Sequence, residues 1–158
     1  MLRFPLLIAR FLQRVGRLLD WLPPLVARIS VGWVFAQSGW RHLHNVEFMT
    51  QKFSQWHVPH PLFNVYLSSY TELIGGSLLL AGLMTRLISI PLSINMVVAI
   101  WKVKRDGIEE VSDLYFLSEY LAIVVFLWLF IRGPGAVSID YVLNYFINPR
   151  REPAADPR

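Results

Sequence analysis

The chain has 158 residues, of which 54% are hydrophobic and 16% are charged, whereas about a quarter of a soluble domain is usually charged. It has no cysteine, which excludes disulfides, zinc–thiolate sites, iron–sulfur clusters and thioether-linked haem. The formal net charge is +4, and in so apolar a chain an anionic lipid surface is a better partner for this charge than nucleic acid. The sequence therefore predicts one unit that folds in a lipid bilayer.

The first segment, residues 1–20, is basic and amphipathic. Its arginines fall on one side of a helical wheel, while apolar residues occupy much of the remainder; they are Arg3, Arg10, Arg14 and Arg17. This pattern predicts a helix in the membrane interface with its arginines near lipid phosphates, and a disordered basic tail is the alternative. Trp21, Pro23 and Pro24 predict a corner where the chain turns into the bilayer.

Four apolar runs follow, and each has roughly the 17–20 residues that an α-helix needs to cross a bilayer. They cover residues 24–40, 64–83, 87–103 and 114–131. The predicted fold is an all-α membrane protein, in which residues 21–148 form a four-transmembrane-helix bundle behind the N-terminal interfacial helix. Residues 149–158 are predicted to form a disordered tail.

Lysine and arginine are distributed unequally between the two sides that these runs define. Nine lie on the side of the amino terminus and five on the other, which predicts that both termini are cytoplasmic in a bacterial inner membrane. The outer side then carries two loops, residues 41–63 and 104–113, and a tight inner turn at 84–86 joins the second and third helices. Ser138 is predicted to cap a short amphipathic helix with Asp140 in its first turn.

Apart from Lys102 at the end of the third run, three charged residues fall inside the runs, where a charge is costly: Arg28, Glu72 and Glu119. Small residues surround two of them and predict close helix packing; they are Gly32, Ala36 and Gly39 beside Arg28, and Ser68, Ser69, Gly75 and Gly76 beside Glu72. The helical spacing predicts an ion pair between Arg28 and Glu72, either as a structural clamp or as part of a ligand site. Arg28 reaching to the cytoplasmic face is the alternative.

The polar residues of the spans also suggest where a ligand binds. Arg28, Glu72, Tyr115 and Glu119 form the one cluster of proton-transfer and hydrogen-bonding groups that the runs offer. The chain lacks thiols, and no histidine lies inside a run, so no covalently bound cofactor is expected. A diffusible quinone that docks at this cluster is the predicted cofactor for any redox role.

All four histidines fall in or beside the first predicted outer loop. His42 and His44 form an H-x-H pair, and His57 and His60 lie around a Val-Pro dipeptide. Imidazoles on one side of a membrane are candidate ligands for Cu(II), Zn(II) or Ni(II). Histidines that simply face water are the alternative.

Three motifs in order resemble those of the DoxX family of small four-helix membrane proteins. They are Glu72-Leu73-Ile74-Gly75-Gly76, then Gly82-Leu83-Met84-Thr85-Arg86, then Gly133-Pro134-Gly135-Ala136-Val137-Ser138-Ile139-Asp140. Gly39 and Arg41 also resemble the ending of the family's first helix, and the resemblance covers about residues 26–140. It implies structural roles for the motif residues Gly75, Gly76, Arg86, Gly133, Gly135 and Asp140.

The resemblance implies an architecture more than an activity. Family members have been linked to the membrane subunit of thiosulfate:quinone oxidoreductase, to partners of oxidative-stress enzymes and to metal-stress gene clusters. We therefore expect a membrane subunit or anchor of a redox or stress-response system, with a protein partner or a second copy and with quinone contact. A small oligomeric transport or metal-handling protein is the first alternative, and a structural scaffold is the second.

Overall fold

The structure is a computed structural model and describes residues 12–104, 113, 115 and 117–147. These residues form helices and contain no strand. The helices are α1 (Leu12–Leu18), α2 (Leu22–His44), α3 (Val46–Gln55), α4 (Pro61–Ala81), α5 (Thr85–Ala99), α6 (Ser118–Arg132) and α7 (Ile139–Ile147). A five-residue π-helix, Ile100–Lys104, continues α5. The first arginines of the predicted interfacial helix, most of the second outer loop and the predicted tail lie outside the described residues.

The predicted corner at the start of the first apolar run is confirmed. Helices α1 and α2 are bent by 49° at the break between them, and prolines occupy the first turn of α2, where a missing backbone N–H costs nothing. An ion pair of 2.8 Å between Asp20 Oδ1 and Arg132 Nη2 joins this corner to the end of α6.

Helices α2 and α4 run antiparallel with their backbones in contact. A Cβ atom on Gly39 would lie 2.5 Å from the carbonyl oxygen of Ser69, and one on Gly32 would lie 2.9 Å from the carbonyl oxygen of Gly76. Only glycine permits so close an approach. The small-residue stripes in the sequence therefore mark the α2–α4 contact, as predicted.

The second pair of helices, α5 and α6, packs against the first across an apolar core. Leu79, Leu92, Phe126 and Leu129 are fully buried there, and Phe35 meets Phe126 edge to face with 5.1 Å between ring centroids. The outer surface is also apolar, and residues such as Trp33, Leu67, Ile94 and Leu127 are more than half exposed. An apolar exterior of this extent is typical of a protein surrounded by lipid.

The turn between α4 and α5 lies slightly earlier than predicted. Gly82 ends α4 with φ of 67°, and the N–H of Leu83 donates to the carbonyl of Leu78 at 2.9 Å, which is a glycine-based C-cap. Helix α5 begins at Thr85, before the predicted start at residue 87, and Pro91 lies inside it.

Two elements differ from the prediction more clearly. The first outer loop contains an amphipathic helix, α3, which the sequence analysis missed, and α2 extends past residue 40 to His44. Helix α6 begins at Ser118, because Leu117 is extended with ψ of 130°.

Among the described residues, Thr85–Val103 is the one single helix long and apolar enough to cross a membrane, and α1 with α2 would make a second, bent one. The four-crossing bundle therefore stays a prediction.

Candidate functional site

A cavity of about 1030 Å³ lies between the two helix pairs and under α3. Its wall is mainly apolar, with Phe35, Met49, Phe53, Trp56 and Val125 among the lining side chains. A few polar groups converge on it from different helices: Ser38 and His42 of α2, Ser68 and Glu72 of α4, Asn95 of α5, and Ser118 and Glu119 of α6. An apolar cavity with few convergent polar groups is the usual form of a small-molecule site.

The carboxyl group of Glu72 is the most deeply placed charged group of this cavity, and the residue is 5% exposed. Its Oε1 accepts a hydrogen bond of 2.9 Å from Asn95 Nδ2. Ser68 Oγ lies 3.4 Å from the same oxygen and 3.1 Å from Asn95 Oδ1, so the single hydroxyl proton is shared between two acceptors. Three neighbouring side chains thus form one buried network.

The second carboxylate oxygen of Glu72 faces a histidine. His42 Nδ1 lies 3.2 Å from Glu72 Oε2, but the ring N–H does not point at the oxygen, and Oε2 makes no hydrogen bond. The His42 side chain is 29% exposed and that of Glu72 is 7% exposed. The pair therefore joins a buried acceptor to a partly accessible imidazole.

His42 reaches this position because α2 continues beyond the predicted end of the apolar run. Arg28, Gly32, Phe35, Gly39 and His42 are spaced by three or four residues, so they share one face of α2. The sequence pattern placed His42 at the start of a predicted loop and did not predict this contact. Extending the helix by one turn past Gly39 places His42 on the same face, and this spacing could have predicted the contact.

Comparison with known proteins agrees with this architecture. The DoxX family model matches residues 24–105, which include α2, α4, α5 and the Glu72 network. The chain belongs to the DoxX family. A Mycobacterium tuberculosis protein named uncharacterized membrane protein Rv3486 is 30% identical over 138 residues, which cover 77% of this chain and 83% of that protein. No solved structure matches the chain.

The predicted ion pair of this DoxX-family protein is wrong. The guanidinium of Arg28 instead donates from Nη1 to the carbonyl of Pro134 at 2.8 Å and from Nη2 to that of Val137 at 2.6 Å. Gly82 lies against this guanidinium and follows Glu72 by ten residues, which is about 15 Å along a helix axis. Arg28 therefore closes the opposite end of the bundle and is not part of the cavity.

The motif residues of the DoxX-family resemblance meet at that end. Asp140 accepts hydrogen bonds from the backbone N–H groups of Met84 (2.8 Å) and Thr85 (3.2 Å), so it caps α5 across the chain. Arg86 Nη2 donates to the Ile131 carbonyl at 3.4 Å and packs on Gly133, while Gly135 packs on Pro24. Gly76 contacts the backbone of α2, and Gly75 contacts Leu92.

Of the two remaining predicted ligand residues, Glu119 lies at the cavity and Tyr115 does not. Glu119 lines the cavity, and its Oε2 accepts a hydrogen bond of 3.1 Å from Ser118 Oγ. Tyr115 does not line it; its ring is 55% exposed and meets Tyr120 edge to face at 5.3 Å. Of the four predicted ligand residues, Glu72 and Glu119 are thus brought to one cavity, whereas Arg28 and Tyr115 are not.

The structure does not gather the histidines into a metal centre. Among residues 12–104, 113, 115 and 117–147, no three His, Asp or Glu side chains are placed to hold a metal ion together. His44 Nδ1 lies 2.9 Å from the Trp40 carbonyl, and His57 and His60 occupy left-handed turns with φ of 54° and 46°. His42 alone turns into the cavity.

Proposed function

We propose that this DoxX-family membrane protein binds a lipid-soluble quinone in the cavity beneath α3 and serves as the membrane subunit or anchor of a redox or stress-response system. The observation that carries the proposal is Glu72 Oε2, a buried acceptor without a hydrogen bond at the wall of an apolar cavity. A buried acceptor without a donor is unfavourable, and the hydroxyl group of the reduced quinone, a hydroquinone, supplies that donor.

The shape and lining of the cavity also support a quinone. Its volume of about 1030 Å³ lies at the upper end of the range for small-molecule sites, which leaves room for a ring and part of an apolar tail. The ring would lie near Glu72, His42 and Asn95, and the tail along Phe35 and Val125.

The proposal includes the topology that the sequence predicts: four crossings in a bacterial inner membrane with both termini in the cytoplasm. Arg86 and Arg132 lie at one end of the bundle, together with the Arg28 network, and support this orientation. Clustering of basic residues at one end favours that end as the cytoplasmic side. The bilayer is the surrounding partner, and a redox protein bound to this subunit is the expected protein partner.

Photo-crosslinking with an azido-quinone tests the binding proposal. The purified protein in detergent micelles is illuminated with the probe, and the labelled peptides are mapped by mass spectrometry. We expect labels on α2, α4 and α5 around the cavity, and excess unlabelled quinone should abolish them. Labels confined to the outer surface, or labels that persist in excess quinone, would contradict the proposal.

A matched pair of variants distinguishes the cavity from the lipid-facing surface. Ser38→Trp places an indole in the cavity, since Ser38 lines it, and should abolish specific labelling. Ser77→Trp makes the same change on α4 at an exposed position and should leave labelling unchanged. The anchor role has its own test: the protein is crosslinked to its redox partner in native membranes, and the partner in the isolated complex is reduced with dithionite, after which excess dithionite is removed. The reduced partner should then pass its electrons to added quinone in the wild type and not in Ser38→Trp.

A further inference from the structure

We infer that the cavity selects ligands that present a hydroxyl group over ligands of the same shape that present only carbonyl or ether oxygens, because Glu72 Oε2 lacks a donor. The inference rests on the proposed ligand site and deepens it. For a quinone couple, it means that the hydroquinone form binds more tightly than the oxidised form.

The two oxygens of Glu72 differ in what they still require. Oε1 already accepts from Asn95 Nδ2 at 2.9 Å, with Ser68 Oγ nearby, whereas Oε2 has no hydrogen-bond partner. A carboxylate oxygen accepts hydrogen bonds and does not donate them. The group missing from the network is therefore a donor.

The other polar groups of the cavity do not fill this gap. His42 Nδ1 is within 3.2 Å of Oε2 but is not aimed at it. Asn95 already uses its amide on Glu72 and its carbonyl oxygen on Ser68. Glu119 and Lys102 line the same cavity, and neither is bonded to Oε2.

A ligand hydroxyl at this position would complete the network, and an ether or carbonyl oxygen would oppose it. A ligand hydroxyl can donate to Oε2. An ether or carbonyl oxygen would bring its partial negative charge against the carboxylate. Glu72 Oε2 and the ligand oxygen would then both lack a donor. Because hydrogen bonds to charged groups are stronger than neutral ones, we expect the hydroxyl ligand to bind about tenfold more tightly.

The test uses 4-hexylresorcinol and its dimethyl ether, which share a carbon skeleton and resist redox cycling under the assay conditions. Binding to the purified protein in detergent micelles is measured by isothermal titration calorimetry, with protein-free micelles as the blank for partitioning. We expect the resorcinol to bind the wild type about tenfold more tightly than its ether.

Glu72→Gln replaces the acceptor Oε2 with a donor. The Gln carbonyl can keep the bond from Asn95, and its amide then places a donor where Oε2 was. The preference for the hydroxyl ligand should disappear or invert in this variant. Glu47→Gln makes the same chemical change at an exposed position of α3 outside the cavity and should keep the wild-type preference.

The outcomes separate this inference from the proposed function. Equal binding of the two ligands by the wild type, or an unchanged preference in Glu72→Gln, would overturn the hydroxyl selectivity while leaving a hydrophobic ligand site. The proposed function would be overturned as well if neither ligand bound the wild type and excess quinone did not abolish the azido-quinone labelling. If Glu72→Gln does not fold, the wild-type comparison still decides the selectivity.

Discussion

Arg28 and Glu72 are both buried, and a buried charge is costly unless the protein provides partners for it. Arg28 is 2% exposed and is bonded to backbone carbonyls of the segment after α6. Glu72 is bonded to side chains of α4 and α5 and lies beside His42. The two charges are therefore compensated independently, at different depths of the bundle.

Double-mutant cycles test this separation at the residue scale. Arg28→Gln and Glu72→Gln should each lower the free energy of unfolding, and in the double variant the losses should add to within about 0.5 kcal/mol, since distant sites without shared partners behave independently. Unfolding is followed by SDS titration from detergent micelles. If the double variant lost clearly less stability than the sum of the two single losses, the two side chains would interact, as in the predicted ion pair.

The Glu72→Gln and Asn95→Ala cycle provides the positive control. These side chains share a hydrogen bond of 2.9 Å, so their losses should not add, and the interaction energy should fall within about 0.5–3 kcal/mol.

At the scale of elements, the α2–α4 contact depends on the absence of side chains. A Cβ atom at Gly76 would lie 2.7 Å from the Gly32 carbonyl oxygen and against the backbone of Ala36. Gly76→Ala should therefore separate the helices and destabilise the protein by about 1–3 kcal/mol. Thermal unfolding in detergent measures the loss.

Gly16→Ala is the matched control for this prediction, because no atom lies within 4 Å of a Cβ placed there. Alanine favours a helix over glycine by about 0.8–1.0 kcal/mol, so this variant should be as stable as the wild type or slightly more stable. Equal destabilisation by both substitutions would show that the α2–α4 contact is not the cause.

Helix α5 has no capping side chain of its own at its start, and Asp140 supplies one from the far end of the chain. Asp140→Ala should cost about 0.5–2 kcal/mol, the usual loss for an N-cap, and Asp140→Asn should cost less because it keeps one acceptor. Asp20→Ala removes an exposed ion pair and should have almost no effect. Thermal unfolding measures the stability of the three variants. An equal loss of stability in Asp20→Ala and Asp140→Ala would contradict the capping role of Asp140.

At the scale of the whole molecule, Arg86 and Arg132 lie at one end of the bundle, and in the sequence most of the other arginines fall near the two termini. Reporter fusions after Arg17, Arg86 and Arg150 should therefore be cytoplasmic, whereas fusions at Lys52 and Asp106 should be external. Paired alkaline phosphatase and green fluorescent protein reporters distinguish the two sides. A cytoplasmic signal at Lys52 would rule out this topology.

The sequence by itself was sufficient for the features that depend on one segment at a time. Hydropathy predicted α2, α4, α5 and α6, and small residues around Arg28 and Glu72 predicted the glycine contact. Ser138 was predicted to cap α7, where its Oγ accepts from the Tyr141 N–H at 3.1 Å. Each of these follows from local spacing on a helix. The resemblance also gave the family correctly.

Only the tertiary structure decided which buried groups are partners. Arg28 and Pro134 are 106 residues apart, and Met84 and Asp140 are 56 apart, so no helical periodicity relates them. A helical wheel gives the face on which Arg28 and Glu72 lie, but it does not give the depth at which two helices align or what covers their ends. The ion pair was predicted from helical faces and from depths counted along each apolar run, whereas the alignment of α2 with α4 places Arg28 beside Gly82 and His42 beside Glu72.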